Sequence, residues 1–75
     1  MDSHDWPGRV KRFLKAELKR HDVSYGRLAE LLKEQGLEET EASISNKISR
    51  GAFTAAFLMA SLMAIGCETV HVGHV

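Results

Sequence analysis

The sequence has few of the features that mark an extracellular or membrane protein. It contains one cysteine, Cys67, so a disulfide within the chain is impossible and nothing requires an oxidising compartment. The opening segment MDSHDWPGRVKR has no apolar stretch of the kind found in signal peptides. The longest apolar run, AAFLMASLMAIG, is about half of the roughly 20 residues that cross a bilayer. We therefore expect a soluble, cytoplasmic protein with no membrane partner.

Features that carry catalysis are also missing. There is no glycine-rich phosphate loop, no pair of carboxylates in an apolar setting and no nucleophile elbow. A chain of 75 residues also has little room for a substrate pocket of roughly 300 Å³ or more. We expect no enzymatic activity, no cofactor and no small-molecule substrate.

The chain has no net charge, because ten Lys and Arg residues balance ten Asp and Glu residues. Nucleic-acid-binding domains are usually strongly basic, so this balance weakens the case for tight DNA binding. The charges are nonetheless unevenly distributed, and a neutral total can hide a basic face. Basic residues concentrate at Arg9, Lys11, Arg12, Lys15, Lys19 and Arg20, whereas acidic residues cluster at Glu38, Glu39 and Glu41.

Apolar spacing and capping residues predict an all-α fold of four helices in a single domain, residues 1–75. The predicted ranges are 6–20, 25–35, 41–50 and 55–65. Each range follows a residue that favours the N-cap position, namely Asp5, Ser24, Thr40 or Thr54. The last helix is apolar nearly all round, so it must be covered on more than one side. Because the domain is also small, we expect a homodimer.

The tail ETVHVGHV changes period, since Val70 and Val72 alternate with His71. This alternation predicts a short β-strand over about residues 68–72. An unpaired strand edge is unfavourable, so we expect pairing with the same strand of a second copy. The alternative is a loose tail or an extended segment packed on the helices. The predicted dimer interface comprises Phe57, Met59, Leu62, Met63, Val70 and Val72.

Cys67, His71 and His74 form the pattern C-x-x-x-H-x-x-H, and thiolates and imidazoles are zinc ligands. On a strand, Cys67 and His71 would share a face while His74 would point away. A fourth ligand would have to come from His4, His21 or a second chain. We interpret the three residues as two tail histidines and a small buried cysteine, and we expect no metal site.

The segments LAELLKEQG and EASISNKISRG have the order helix, turn, helix, glycine that is typical of a helix-turn-helix. In that motif the second helix presents its outward face to the major groove, where Asn can bind adenine and Arg or Lys can bind guanine. Ile44 and Ile48 are predicted to face inward, with Ala42 and Ser45 near them. The predicted base contacts lie on the opposite face: Ser43, Asn46, Lys47 and Arg50.

Phosphate contacts are predicted from Tyr25, Arg27 and Lys19. Tyr25 and Arg27 begin the second helix, and helix N-termini favour anions. Lys19 belongs to the basic first helix, whose side chains could set the orientation of a duplex without reading its sequence.

The order of VSYGRLAELLKEQG, TEASISNKISRG and FLMASLMAIGCETV resembles the lambda-repressor-like (XRE-type) helix-turn-helix domain over about residues 8–70. The positions that match the family motifs are Ser24, Leu28, Ala29, Ile48, Gly51, Leu58, Leu62, Ile65 and Gly66. The segment RGAFTAAFLMASLMAIG is also similar to a small bacterial family of uncharacterised domains (DUF6471). The first resemblance implies a small transcriptional regulator that binds double-stranded DNA in a sequence-dependent manner.

A protein-interaction module that kept the fold without DNA binding is the alternative, either antitoxin-like or a dimerisation domain. The zero net charge and the three clustered glutamates favour it. The connection KEQGLEET is longer than the tight turn usual in the lambda-repressor-like family. The segment between Ile44 and Gly51 also has one residue more than the family motif. The register of the outward face of the third helix therefore stays open.

Overall fold

The computed structural model describes residues 4–75 and contains four α-helices around one core. Helix α1 spans Trp6–Arg20, α2 spans Tyr25–Glu34, α3 spans Glu41–Arg50 and α4 spans Ala55–Ile65, and a 3₁₀ turn follows at Val72–His74. The all-helical class and the four helices are confirmed within the described residues. Each helix begins and ends within one residue of its predicted range.

The residue before each helix forms an N-cap. In every case its side-chain oxygen accepts a hydrogen bond from the backbone amide three residues ahead, at 3.0–3.1 Å; the four are Asp5, Ser24, Thr40 and Thr54. These bonds satisfy amides that have no partner in the first turn of a helix. At α3 the bond is reciprocal, because the Ser43 hydroxyl also accepts from the Thr40 amide.

The C-terminal end of α3 lies against the first turn of α1. Gly51 follows α3 with a φ of 64°, a left-handed conformation that favours glycine. A Cβ built on Gly51 would lie 2.6 Å from the carbonyl oxygen of Pro7, so no side chain fits there. Lys11 Nζ donates to the Ser49 carbonyl at 3.1 Å and joins the same two helices. The position of α3 on α1 is therefore fixed at this end.

All four helices contribute to the core. α2 packs on α3 and α4, and α1 packs on α3 and α4. Ile44 and Ile48 of α3 are fully buried, as the sequence predicted. Ser61 of α4 is also fully buried, and its hydroxyl has no hydrogen-bond partner among the described residues. The buried apolar side chains are Leu14, Leu18, Leu28, Leu32, Ile44, Ile48, Phe57, Leu62 and Ile65.

The predicted C-terminal strand over residues 68–72 is wrong. No strand occurs within residues 4–75, so the alternating residues Val70 and Val72 have no neighbouring strand there with which to form β-sheet hydrogen bonds. The last residues instead form local turn bonds, His74 N to His71 O at 2.8 Å and Val75 N to Val72 O at 3.1 Å. Arg9 of α1 donates from Nε and Nη2 to the Val75 carbonyl at 2.9 and 2.7 Å, which holds the tail against α1.

Among residues 4–75, no single helix combines the length and hydropathy needed to cross a bilayer. α3 and α4 reach that composition only when they are counted together across a bend of 117°.

Candidate nucleic-acid interface

α3 presents small and polar side chains to solvent. The exposed residues of α3 are Glu41 in its first turn and then Ala42, Ser45, Asn46, Ser49 and Arg50; the last five form what we call its exposed face. Asn46 and Arg50 lie one helical turn apart, roughly opposite the buried Ile44 and Ile48. Both were predicted to face outward. Small neighbours on such a face leave the longer Asn and Arg side chains as its most prominent groups.

Ser43 and Lys47, the other two predicted base contacts, lie on the flank of α3 and bond within the chain. Ser43 Oγ donates to Glu39 Oε1 at 2.7 Å. Lys47 Nζ donates to Glu39 Oε2 and lies 5.2 Å from the centroid of the Phe57 ring. Both residues are half-buried. They connect α3 to the segment that precedes it, so we assign them a structural role.

The negative charge of the Glu39 carboxylate is balanced by the positive charge of Lys47. Burial raises the pKa of Glu39, but hydrogen bonds from Lys47 and Ser43 and the positive charge of Lys47 outweigh that effect and hold the pKa below its usual range. Its side chain is only 10% exposed. Glu39 therefore stays ionised and paired at neutral pH, and Glu38 and Glu41 are the two exposed members of the three clustered glutamates.

The first turn of α2 lies beside the start of α3. A Cβ built on Gly26 would lie 3.0 Å from Glu41 Oε2, so this carboxylate sits over the beginning of α2. Tyr25 is half-buried, whereas Arg27 is exposed and donates to Glu30 Oε1 at 3.2 Å. A negative charge stabilises a helix N-terminus. An anion that approaches the start of α2 must therefore displace the Glu41 side chain or approach beside it.

Lys19 is exposed in the last turn of α1, eight residues beyond Lys11. Eight residues rise about 12 Å along a helix. Because Lys11 bonds to the end of α3, Lys19 lies well away from that end and close along the chain to Tyr25. Two of the three predicted phosphate contacts thus lie in the first turn of α2 and the third lies six residues earlier in the chain, while the predicted base contacts follow α3.

The outward position of Ser45 and Ser49 was missed at the sequence level. Ser43 and Lys47 each precede a buried isoleucine by one residue, and Ser45 and Ser49 each follow one. Both pairs lie about 100° from the buried stripe on a helix, so spacing alone does not tell which flank is covered. The partner of the first pair, Glu39, decides the question, and it lies outside α3.

Residues 6–70 match the family model described as "Domain of unknown function (DUF6471)". The chain belongs to this family. The similarity to DUF6471 inferred from the sequence is thereby confirmed. No curated protein and no solved structure matches the chain. The family domain includes all four helices and therefore the whole exposed face of α3.

A second surface of this DUF6471 domain is apolar. α1, α4 and the tail form a cleft of about 760 Å³, larger than we expected from so short a chain. Five large apolar side chains are exposed within residues 4–75, and all five line this cleft: Trp6, Met59, Met63, Val70 and Val72. We refer to it below as the apolar cleft.

Five of the six predicted dimer-interface residues line the apolar cleft, and Phe57 does not. Phe57 and Leu62 are 2% and 4% exposed because they pack in the core of the same chain. Phe57 lies outside the cleft, and Leu62 lines it with very little exposed surface, so we remove both from the predicted interface. α4 is apolar on every side, and its sequence alone does not show which stripe faces α2.

The Cys67, His71 and His74 pattern forms contacts within the tail. Cys67 Sγ donates to the Thr69 carbonyl at 3.5 Å, and the two imidazole rings lie 4.2 Å apart between centroids. Burial raises the pKa of the Cys67 thiol, and the nearby Glu17 carboxylate raises it further. Within residues 4–75, no three His, Cys, Asp or Glu side chains are arranged to hold a metal ion.

Proposed function

We propose that this domain binds double-stranded DNA through the exposed face of α3, as a small transcriptional regulator of the lambda-repressor-like helix-turn-helix type. The observation that supports the proposal is that face itself. It combines an amide and a guanidinium with three small side chains on a ten-residue helix whose opposite side carries the fully buried Ile44 and Ile48. Small side chains allow close approach to a groove, while the Asn and Arg tips carry the hydrogen-bonding groups that recognise bases.

The roles follow from the positions of the side chains. Asn46 and Arg50 contact base edges, since Asn can bind adenine and Arg can bind guanine through two hydrogen bonds each. Ser45 and Ser49 join them as shorter contacts from the same face. Lys47, together with Ser43, supports α3 through Glu39 instead of contacting bases.

Phosphate contacts are assigned to Tyr25, Arg27 and Lys19. Two of them are exposed cations, and the third is half-buried at the first residue of α2. Arg27 exchanges its exposed partner Glu30 for a phosphate, which costs little because exposed ion pairs are weak. These contacts position the duplex and carry no sequence information.

A binding assay with labelled mixed-sequence and selected duplexes tests the proposal. Arg50→Ala should weaken binding to the selected site by about 5- to 100-fold, as expected for the loss of a bidentate base contact. Lys33→Ala is the matched control, because it removes the same charge from an exposed position near the end of α2. It should change the affinity much less.

A salt series gives the decisive result. Binding should weaken as salt rises, because each phosphate contact releases counterions. Absence of any binding at about 50 mM salt would refute the DNA proposal. Equal effects of the Arg50 and Lys33 variants would refute the assignment of α3 as the base-reading helix while leaving general DNA binding intact.

A protein-interaction module is the second candidate, and one observation favours it. The apolar cleft exposes five large hydrophobic side chains within residues 4–75, whereas the chain has no net positive charge. Exposed apolar surface of this kind marks protein interfaces. The same salt series separates the two candidates, since this one predicts no DNA binding under any salt condition.

A further inference from the structure

We infer that the apolar cleft is the contact surface for a second copy of this chain, with α4 at its centre. The inference deepens the proposed function by supplying its two-fold symmetry, but it rests on the cleft and not on DNA binding. Its basis is that all five exposed large hydrophobic side chains within residues 4–75 lie on one surface. Scattered exposed hydrophobics are normal on a monomer, whereas a contiguous group marks an interface.

The exposed area is of the size that a small dimer uses. Met59, Met63 and Val72 are 65%, 64% and 68% exposed, and Trp6 and Val70 are 46% and 38% exposed. With on the order of 200 Å² for a large apolar residue, these fractions correspond to about 500 Å². A standard interface buries about 800 Å² per partner. That is roughly one sixth of the 5133 Å² surface of the chain, and half-buried residues of the cleft supply much of the remainder.

The surface is complementary to itself. A two-fold dimer requires that one patch contain both the projecting groups and the depression that receives them. Met59 and Met63 project one turn apart from α4, and the depression between α4 and α1 lies beside them, lined by Val10 and Phe13. When two copies of α4 meet in antiparallel orientation, Met59 of each faces Met63 of the other. Methionine is flexible enough to fill a depression of irregular shape.

Charge also favours a second copy over a charged partner. Among residues 4–75, Glu68 is the one charged side chain that lines the cleft. A partner with an acidic recognition surface would find no complementary group there, and a basic one would find a single carboxylate, whereas a second copy with the same largely apolar surface needs no charge complement. The cleft walls include the tail, which Arg9 holds in place through its two bonds to the Val75 carbonyl. The depression is therefore present before a partner arrives.

Sedimentation equilibrium of the unmodified chain measures the oligomeric state directly. We expect a mass of twice 8.3 kDa that falls towards the monomer on dilution. Trp6 is the only tryptophan and lines the cleft, so its fluorescence emission should shift to the blue as concentration rises. A monomer with unchanged emission at about 1 mM would overturn the inference, as would an open series of higher oligomers, because a two-fold contact closes.

A charge placed in the cleft tests the residues involved. Met59→Glu should produce a monomer, since two carboxylates would be buried in the dimer contact. The variant should still fold, because this side chain is largely exposed in the single chain, and circular dichroism can verify that. Gln35→Glu, the matched control, adds the same charge at an exposed position outside the cleft and should remain dimeric. A dimeric Met59→Glu would exclude α4 from the contact.

The experiment separates this inference from the DNA proposal. The sedimentation sample contains no DNA, so its result does not depend on DNA binding. A dimer that binds no duplex would refute only the proposed function. A monomer that binds duplex would refute only the second copy at the cleft.

Discussion

Replacement of Gly51 by alanine should destabilise the domain far more than the same replacement of Gly36. Both glycines follow a helix and have a positive φ, 64° at Gly51 and 85° at Gly36. They differ in surroundings. A Cβ on Gly36 has nothing within 4 Å, whereas a Cβ on Gly51 would lie 2.6 Å from Pro7 O and 3.0 Å from Pro7 C. Gly36→Ala therefore measures the backbone cost alone.

The magnitudes can be estimated from the two contributions. A left-handed conformation costs a residue with a Cβ about 1–2 kcal/mol, partly offset because alanine restricts the unfolded chain. We expect a loss of about 1 kcal/mol for Gly36→Ala. At Gly51 the first turn of α1 must also move, and such overpacking costs about 1–3 kcal/mol more. The total of roughly 2–4 kcal/mol is a large fraction of the roughly 4–11 kcal/mol expected for a domain of this length.

Thermal unfolding followed by circular dichroism, at one fixed protein concentration, compares the two variants. About 4–8 °C of Tm corresponds to each kcal/mol in a domain of this size. Gly36→Ala should lower Tm by about 4–8 °C and Gly51→Ala by about 8–32 °C. A difference between the variants of less than about 0.5 kcal/mol would refute the close approach of α3 to α1 at Pro7.

Two further substitutions test the interior and the Glu39 pair. Ser61→Ala should leave stability unchanged or raise it by up to about 1 kcal/mol in thermal unfolding, because it removes a buried hydroxyl that lacks a partner; a loss above about 1 kcal/mol would show that the hydroxyl is bonded. Glu39→Gln should cost on the order of 1 kcal/mol at pH 7 by removing the pair with Lys47. Because the folded-state pKa of Glu39 is lowered, its contribution is present above the unfolded pKa of about 4.3 and is lost as the pH falls through the folded value. The stabilities of the two proteins in denaturant unfolding should therefore approach each other as the pH falls below about 4.3, and a difference that stays constant throughout the acid range would contradict the pairing.

The helices could be predicted because local chemistry specifies them. Asp5, Ser24, Thr40 and Thr54 each cap a helix with a bond to an amide three residues ahead, so a short stretch of sequence contains the whole signal. The tail lacked such a local criterion. Alternation of Val70 and Val72 indicates a strand only when another strand supplies the ladder, and that condition depends on the rest of the fold.

The faces of the helices were harder to predict than their ends. On α4, Phe57 and Met59 are similar in hydropathy, yet one is buried and the other 65% exposed, because only the packing on α2 and α1 distinguishes the stripes. On α3, Ser43 and Ser45 flank Ile44 symmetrically, and the carboxylate of Glu39 determines which of them is covered. Patterns of spacing therefore identify a helix more reliably than they identify the flank that faces solvent.

The proposed dimer would strengthen the proposed DNA binding, because one chain supplies few cations for phosphate contacts. Two cations, Arg27 and Lys19, are assigned to phosphates, so one chain should give a salt slope of about −2 and a dimer about −4. A slope this shallow means that a single copy binds DNA weakly, and that useful affinity requires two copies of α3 joined on one site. Met59→Glu should therefore weaken DNA binding although it leaves α3 unchanged, whereas Asn46→Ala should weaken DNA binding and leave the dimer intact. A Met59→Glu monomer that binds DNA as tightly as the unmodified chain would show that the apolar cleft serves some purpose other than the pairing of α3.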